Sequence, residues 1–131
     1  MDRDIKQYFA HVITVSSAAF TDVEYTIDET PKRSILRLQA MYGSFRLFVT
    51  ELFSENRRKY RYYLLKDNWV EVGFDNSPDP RALRLKYGQI TTSQVGELVP
   101  HLHLANKTEL FLTDEISYDE FLDWLSANIL A

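Results

Sequence analysis

Two short polar segments hold most of the side chains in this chain that could take part in chemistry. Residues 74–80 read Phe-Asp-Asn-Ser-Pro-Asp-Pro, and residues 100–103 read Pro-His-Leu-His. Together they place carboxylates, an amide and two imidazoles at turns and strand edges, where side chains meet ligands. These two segments are therefore the candidate functional part of the sequence.

The histidine pair allows two kinds of chemistry. His101 and His103 are two residues apart, so in a β-strand both imidazoles would point to the same face. They could then act as a general acid–base pair or as two ligands of a divalent metal, which would need a third ligand such as Asp75 or Asp79. The plainer alternative is a pair of surface histidines that are hydrogen-bonded to their neighbours.

The aspartate and asparagine that end the preceding strand also have two interpretations. Asp75 and Asn76 precede Pro78 and are good turn-formers, because their side chains bond the local backbone. In the functional interpretation, Asp75 orients a histidine or binds a metal, and Asn76 contacts a substrate oxygen.

Charged and aromatic residues also lie on strands predicted at the centre of the sheet. They are Arg46, Glu51, Arg61, Tyr62 and Tyr63. Such side chains usually face water or pair across strands. An arginine beside a histidine is also how a nuclease without metal could cleave RNA. The imidazole would move the 2′-hydroxyl proton, the guanidinium would stabilise the phosphorane, and tyrosines would stack on bases.

Basic residues are concentrated in the middle of the chain. The net charge is −4, yet residues 57–88 hold eight Lys/Arg and only four Asp/Glu. Basic side chains interleaved with tyrosines suit the phosphates of a single strand, although a solvated strand face would look the same. The residues expected to follow an RNA backbone are Arg57, Arg58, Lys59, Arg81, Arg84 and Lys86.

Composition indicates one globular domain over residues 1–131. Apolar residues make up 45% of the chain and charged residues 26%. The absence of cysteine excludes disulfides and thiolate metal sites and suits a reducing cytosol, so we expect a cytoplasmic protein. No signal peptide or apolar run of membrane-spanning length is present. Four glycines and no glycine-rich phosphate loop argue against dinucleotide binding.

Two amphipathic helices frame a series of predicted strands. Apolar residues at helical spacing predict a helix over residues 3–19, and a capping box from Ser117 to Glu120 begins a second helix near the C-terminus. Period-two patterns predict strands at 24–27, 35–42, 45–52, 59–65, 69–74, 102–104 and 109–112. Residues 77–100 are predicted to form a long excursion with a short strand near 83–87. The prediction is an α+β domain: an antiparallel sheet of about six strands, with the terminal helices packed on it.

Tyr62, residues 74–78 and residues 100–103 also carry a family resemblance. In order and spacing they resemble the TumE family of small prokaryotic toxin-like proteins, over roughly residues 35–125. In that family a tyrosine-containing strand leads into an aromatic-Asp-Asn-x-Pro turn, and a Pro-His-x-His-like element follows. The resemblance implies growth inhibition, with RNA cleavage as the activity and neutralisation by a helix-turn-helix antitoxin encoded beside the toxin. Family members often carry histidines directly after the turn, where this chain has Asp79-Pro80-Arg81, so the chemistry could differ or be lost.

The leading hypothesis is a toxin component that binds RNA and cleaves it. The histidines would transfer protons, an arginine would stabilise the phosphate and the aspartate would orient an imidazole. The residues assigned to catalysis are His101, His103, Asp75, Arg46 and Arg61. Those assigned to the substrate are Asn76, Tyr62, Arg57, Arg58, Lys59, Arg81, Arg84 and Lys86.

Two alternatives remain from the sequence. One is a binding module without chemistry, or a homodimer, with Tyr60, Tyr62 and Trp69 as exposed anchors. The other, less favoured, is a metal-dependent hydrolase that uses His101, His103 and Asp75; otherwise no cofactor is predicted.

Overall fold

The computed structural model describes residues 2–131. Its seven strands form one antiparallel sheet in which each strand pairs with the next along the chain. The strands are β1 (Thr21–Thr30), β2 (Arg33–Tyr42), β3 (Phe45–Ser54), β4 (Arg57–Lys66), β5 (Trp69–Asp75), β6 (His101–Leu104) and β7 (Glu109–Leu112). The helices are α1 (Arg3–Ala19), α2 (Pro80–Tyr87) and α3 (Tyr118–Asn128). The α+β prediction is confirmed, with seven strands instead of about six.

The terminal helices cover one face of the sheet, as predicted. Alternate residues of the central strands, such as Leu38, Val49 and Leu64, are buried beneath apolar residues of α1 and α3. Local signals fix both helix starts: the Asp2 side chain caps α1, and the predicted capping box of Ser117 and Glu120 begins α3. Within residues 2–131, no helix combines the length and the hydropathy that a membrane span requires.

The strand predicted near residues 83–87 is wrong, because residues 80–87 form helix α2. The Asp79 carboxylate accepts hydrogen bonds from the backbone N–H groups of Arg81 and Ala82 and so caps the helix. Proline at the first helical position has no N–H to leave unsatisfied, and its fixed φ suits the helix. Gly88 ends the helix with φ +80°, a conformation that glycine adopts without steric cost.

Helix α2 lies on the face of the sheet opposite α1 and α3. Ala82 and Leu83 are buried against Val99, with Ile90 and Leu110 packed at the margin. Leu110 pairs across the strands with His103, so both side chains point to the α2 side of the sheet. The helix therefore covers β6 and β7, whereas the same side of β2–β4 has no helix over it.

The register aligns side chains from five strands into rows on this uncovered side. One row runs Arg37, Thr50, Arg61, Asp75, His101, and the next runs Gln39, Phe48, Tyr63, Gly73, His103. Both rows end at the predicted histidine pair. The sheet therefore connects the basic strands directly to the candidate site.

Gly73 makes room for the tyrosine ring beside it. A Cβ atom at this position would lie 1.9 Å from Cε1 of Tyr63, because the Tyr63 ring crosses the glycine to reach Asp75. We therefore expect Gly73→Ala to lower the free energy of unfolding by about 1–3 kcal/mol through overpacking. Chemical denaturation followed by circular dichroism would measure the loss.

The same substitution in a Tyr63→Ala background is the control. Without the ring, the added methyl group has space, so the cost of Gly73→Ala should shrink by most of its value. An equal cost in both backgrounds would show that the ring contact is not what requires glycine.

Candidate functional site

The two histidines lie beside Asp75 where β5 and β6 pair. His101 is the direct cross-strand partner of Asp75, and the two imidazole centroids are 4.8 Å apart. Potential ligand atoms of Asp75, His101 and His103 all lie within 4.8 Å of one another. The prediction that both imidazoles share a face beside the aspartate is confirmed. Both rings are enclosed, because His101 is 1% exposed and His103 is 3% exposed.

The Asp75 carboxylate is held by three donors. Its Oδ1 accepts the backbone N–H of Ser77 at 2.7 Å, and its Oδ2 accepts the Tyr63 hydroxyl at 2.9 Å. The Arg61 Nε lies 3.4 Å from Oδ2. Burial alone would raise the pKa of Asp75, but the hydrogen bonds from Ser77 and Tyr63 and the charge of Arg61 outweigh it and lower this pKa. The group is therefore a fixed carboxylate at neutral pH.

The imidazoles differ in how they are bonded. Nδ1 of His101 donates to the carbonyl oxygen of Val99 at 2.6 Å, which leaves its Nε2 lone pair free. Nδ1 of His103 is buried and finds no hydrogen-bond partner anywhere in residues 2–131. Burial, with the nearby His101 and Lys107, lowers the pKa of His103 to about 4. Its ring is therefore neutral near pH 7.

Asp79, the N-cap residue of α2, is the fourth side chain of the cluster that Asp75, His101 and His103 form. While Oδ1 caps α2, Oδ2 lies 3.8 Å from Nε2 of His101 and 3.9 Å from Nε2 of His103. The sequence marked Asp79 only as an alternative third metal ligand and gave no role to Gly73. The Asp-Pro pair that starts α2 was the available signal, since it is a common N-cap followed by a favoured first helical residue.

Two assigned substrate residues prove to be structural. Tyr62 is fully buried on the face covered by the terminal helices, so the prediction that it stacks on a base is wrong. The Asn76 side chain accepts the backbone N–H of Tyr60 at 2.9 Å and donates to the carbonyl of Arg58 at 2.9 Å. It continues the pairing of β4 beyond the end of β5, so its assignment to substrate is also wrong.

The basic stretch in β4 divides between the two faces of the sheet. Arg58 points to the terminal helices and is bound by the buried carboxylate of Glu51, so its predicted contact with phosphate is wrong. Arg57 and Lys59 alternate with it and point to the opposite side. Tyr60 is buried like Tyr62, so neither can be an exposed interface anchor.

Of the remaining assigned cations, Arg81 lies beside the cluster, with its Nε 4.0 Å from Oδ1 of Asp79, and the others make different contacts or are exposed. Arg46 shares the face of Arg61 but pairs with Leu65, four residues along β4, or about 13 Å away. In α2, Arg81 donates to the carbonyl of Lys107. Of the other two α2 cations, Lys86 pairs with Glu97 and Arg84 is exposed.

Two other aromatic or imidazole side chains lie away from the site. His11 pairs with Asp119 at 2.9 Å and joins α1 to α3 at the surface. Trp69 is 49% exposed at the start of β5, as the binding-module alternative requires.

Comparisons with protein-family models, curated proteins and solved structures find no match to this chain. What the chain does must therefore be argued from its own residues.

Proposed function

We propose that the protein is a toxin-type component that binds RNA across its uncovered sheet and cleaves it at the cluster of Asp75, His101 and His103. The binding surface, here named the open face, is the side of β2–β4 opposite α1 and α3. The antitoxin partner and the cytoplasmic location belong to the same proposal.

The charge of the open face is the observation that carries the proposal. Alternation along β2–β4 places six basic side chains and no acidic one on this side of these three strands, in a protein whose net charge is −4. They are Arg33, Arg37, Arg46, Arg57, Lys59 and Arg61. A concentrated positive surface on an acidic protein favours a polyanion.

Aromatic rings lie among these cations. Phe48 and Tyr63 are cross-strand partners in the middle of the open face. The guanidinium of Arg46 lies 5.0 Å from the Phe48 ring centroid, and that of Arg61 lies 5.0 Å from the Tyr63 centroid. Ring faces and fixed cations side by side suit a single strand, whose bases stack while its phosphates pair with the cations.

The open face leads to groups that could act on a phosphodiester. Arg61 is half exposed at the edge of the cluster and is paired with Asp75, so its guanidinium can meet a phosphate that lies beside the imidazoles. The imidazoles themselves lie beneath the first turn of α2. The helix is held by a small apolar group around Leu83 and Val99 and by the hydrogen bond from Arg81 to the Lys107 carbonyl, so RNA reaches the imidazoles when this turn opens.

The toxin part of the proposal rests on the sequence motifs and on how they meet. Tyr62 pairs with Phe74, Phe74 pairs with Leu102, and Asp75 pairs with His101. Three segments that are separate in the chain thus form adjacent positions on neighbouring strands. Expression of the protein in bacterial cells should arrest growth, and growth at the control rate would contradict the toxin proposal.

A non-catalytic interaction module is the second candidate. Strand β1 is a ten-residue edge strand whose outer side is unpaired within residues 2–131, and its Tyr25 and Ile27 are exposed. Such an edge can add a strand from another chain. RNA binding without cleavage, together with dimerisation of the pure protein, would favour this candidate.

Neutralising two arginines of the open face should weaken RNA binding. We expect Arg33→Gln/Arg46→Gln to reduce the affinity for a single-stranded RNA roughly tenfold at physiological salt, because two phosphate contacts and their released counterions are lost. The dependence of the logarithm of affinity on the logarithm of salt should flatten by about 1.4. Fluorescence anisotropy of a labelled RNA over a salt series would measure both.

The control removes the same charge from the other side of the sheet. Arg3→Gln/Lys6→Gln changes two exposed cations on α1 and should leave affinity and salt dependence nearly unchanged. An equal loss in both double variants would show that net charge, rather than the open face, binds RNA.

A further inference from the structure

The two imidazoles and Asp79 are spaced like ligands around a single ion. The distances of 3.8 Å and 3.9 Å from Asp79 Oδ2 to the two Nε2 atoms are too long for hydrogen bonds. Bonds of about 2.0–2.1 Å in a tetrahedral zinc site separate ligand atoms by roughly 3.4 Å. A small inward movement of the three side chains would therefore bring them to bonding distance of one metal.

The surroundings hold these side chains in the state that a metal requires. The Val99 carbonyl takes the Nδ1 proton of His101 and directs its Nε2 lone pair into the cluster. The backbone N–H groups of Arg81 and Ala82 hold Oδ1 of Asp79, which aims Oδ2 at the imidazoles. Ligand orientation by backbone groups and carbonyls is typical of metal sites.

The two ring nitrogens of His103 have different surroundings, and only Nε2 lies near Asp79 Oδ2. Its Nδ1 is buried with no partner within the described chain, and leaving such a group unsatisfied costs about 1–3 kcal/mol. The ring is 3% exposed and packs edge-on against His101, so water does not replace the missing partner freely. A metal on Nε2 would leave this Nδ1 with its proton and still without a partner, so the inference rests on the positions of the two Nε2 atoms and of Asp79 Oδ2.

We infer that His101, His103 and Asp79, with the Asp75 carboxylate beside them, bind one divalent transition metal of the zinc class. Two imidazoles and carboxylates suit zinc and its neighbours, whereas magnesium and calcium prefer oxygen ligands alone. The inference concerns the same site as the proposed RNA function, but metal binding is measured without RNA, so failure of one is distinguishable from failure of the other.

The test is a zinc titration of chelator-treated protein, without RNA, followed by calorimetry and thermal unfolding. We expect one equivalent of zinc to bind and to raise the melting temperature, and an equal concentration of magnesium to do neither. Cobalt in place of zinc should give visible d–d absorption of a low-symmetry site with nitrogen and oxygen ligands.

Three variants locate the site. Asp79→Asn keeps an N-cap side chain on α2 but removes the negative ligand, and His103→Gln removes an imidazole; each should weaken zinc binding by more than about a hundredfold. His11→Gln is the matched control, because it removes the third histidine of the chain from a surface pair. It should bind zinc like the original protein.

Two results would overturn the inference. One is the lack of a zinc equivalent on the unsubstituted protein, and the other is zinc binding that His11→Gln loses and Asp79→Asn keeps. Should His103→Gln fail to fold, Asp79→Asn still decides the question. Nuclear magnetic resonance of the unsubstituted protein does so as well, because zinc must shift the imidazole signals of His101 and His103 and leave those of His11 in place.

Discussion

Replacing Glu51 by alanine should lower the free energy of unfolding by about 3–5 kcal/mol. The Glu51 carboxylate is fully buried between the sheet and the terminal helices. It accepts hydrogen bonds from Arg58 Nε at 3.0 Å, from the Tyr8 hydroxyl at 2.6 Å and from the Tyr62 hydroxyl. Without the carboxylate, a largely buried guanidinium and two hydroxyls lose their common acceptor.

Glu51 favours the protonated state of the side chains that it binds. Burial raises the pKa of Tyr62, and the negative Glu51 raises it further, so the hydroxyl stays protonated and donates. Burial opposes the charge of Arg58, but Glu51 outweighs that effect and raises the pKa of the guanidinium. Each member is thus suited to Glu51, and loss of the carboxylate leaves the two hydroxyls without this acceptor and the guanidinium with Glu115 as its remaining carboxylate partner.

Urea denaturation of Glu51→Ala, of Glu51→Leu, of Arg58→Met and of the double variant Glu51→Leu/Arg58→Met would test this prediction. Glu51→Ala should show the full loss, and Glu51→Leu/Arg58→Met should recover much of it, because no buried charge is then left unpaired. A fold in which Glu51→Ala costs under about 1 kcal/mol would contradict the prediction. Simple addition of the two single effects would contradict it as well, since partners in one network are not independent.

The same network shows what strand patterns predict and what they leave open. Glu51 has the same parity in β3 as Leu47 and Val49, so alternation alone places it on the buried face. In β4, however, Tyr60, Tyr62 and Leu64 on one face look much like Arg61, Tyr63 and Leu65 on the other. Which face the helices cover depends on the docking of α1 and α3. For that reason Tyr62 was assigned to RNA, although it belongs to the core.

The helices that the sequence predicts correctly have local signals, whereas helix α2, which it misses, also depends on a contact distant in sequence. The cap of α3 and the apolar stripe of α1 act within a few residues, so the sequence reveals them. Residues 83–87 alternate apolar and polar side chains and so resemble a strand. Their helix depends on capping by Asp79 and on burial of Leu83 against Val99, which is distant in sequence.

The sequence predicts one part of the site and leaves another part open. The common face of His101 and His103 follows from the period of a strand, and their position beside Asp75 follows once β5 and β6 pair. Asp79 reaches the imidazoles only because α2 folds back over β6 and β7. The spacing of residues along the chain does not show where α2 packs. The position of Asp79 in the cluster therefore follows only from the structure.

Replacing Arg61 by glutamine should slow RNA cleavage at saturating RNA by about 10²–10³-fold, in addition to the loss of affinity expected for one phosphate contact. The guanidinium is half exposed and lies 3.4 Å from Asp75, at the boundary between the open face and the imidazoles. There it can stabilise charge that develops on the phosphate in the transition state, and loss of one such donor typically costs this factor. Because the pair is exposed on the arginine side, unfolding free energy should change by less than about 1 kcal/mol.

Lys59→Gln is the matched control, since it removes one positive charge two residues away on the same face of β4. It should weaken RNA binding like any lost phosphate contact and leave the rate at saturating RNA almost unchanged. If both substitutions lower the affinity equally and neither changes the rate, Arg61 binds phosphate like the other cations of the open face and has no part in cleavage. If the unsubstituted protein leaves RNA intact both with added zinc and with chelator, cleavage is excluded. The open face would then be a binding surface, and the cluster at its end would need a role that does not involve RNA cleavage.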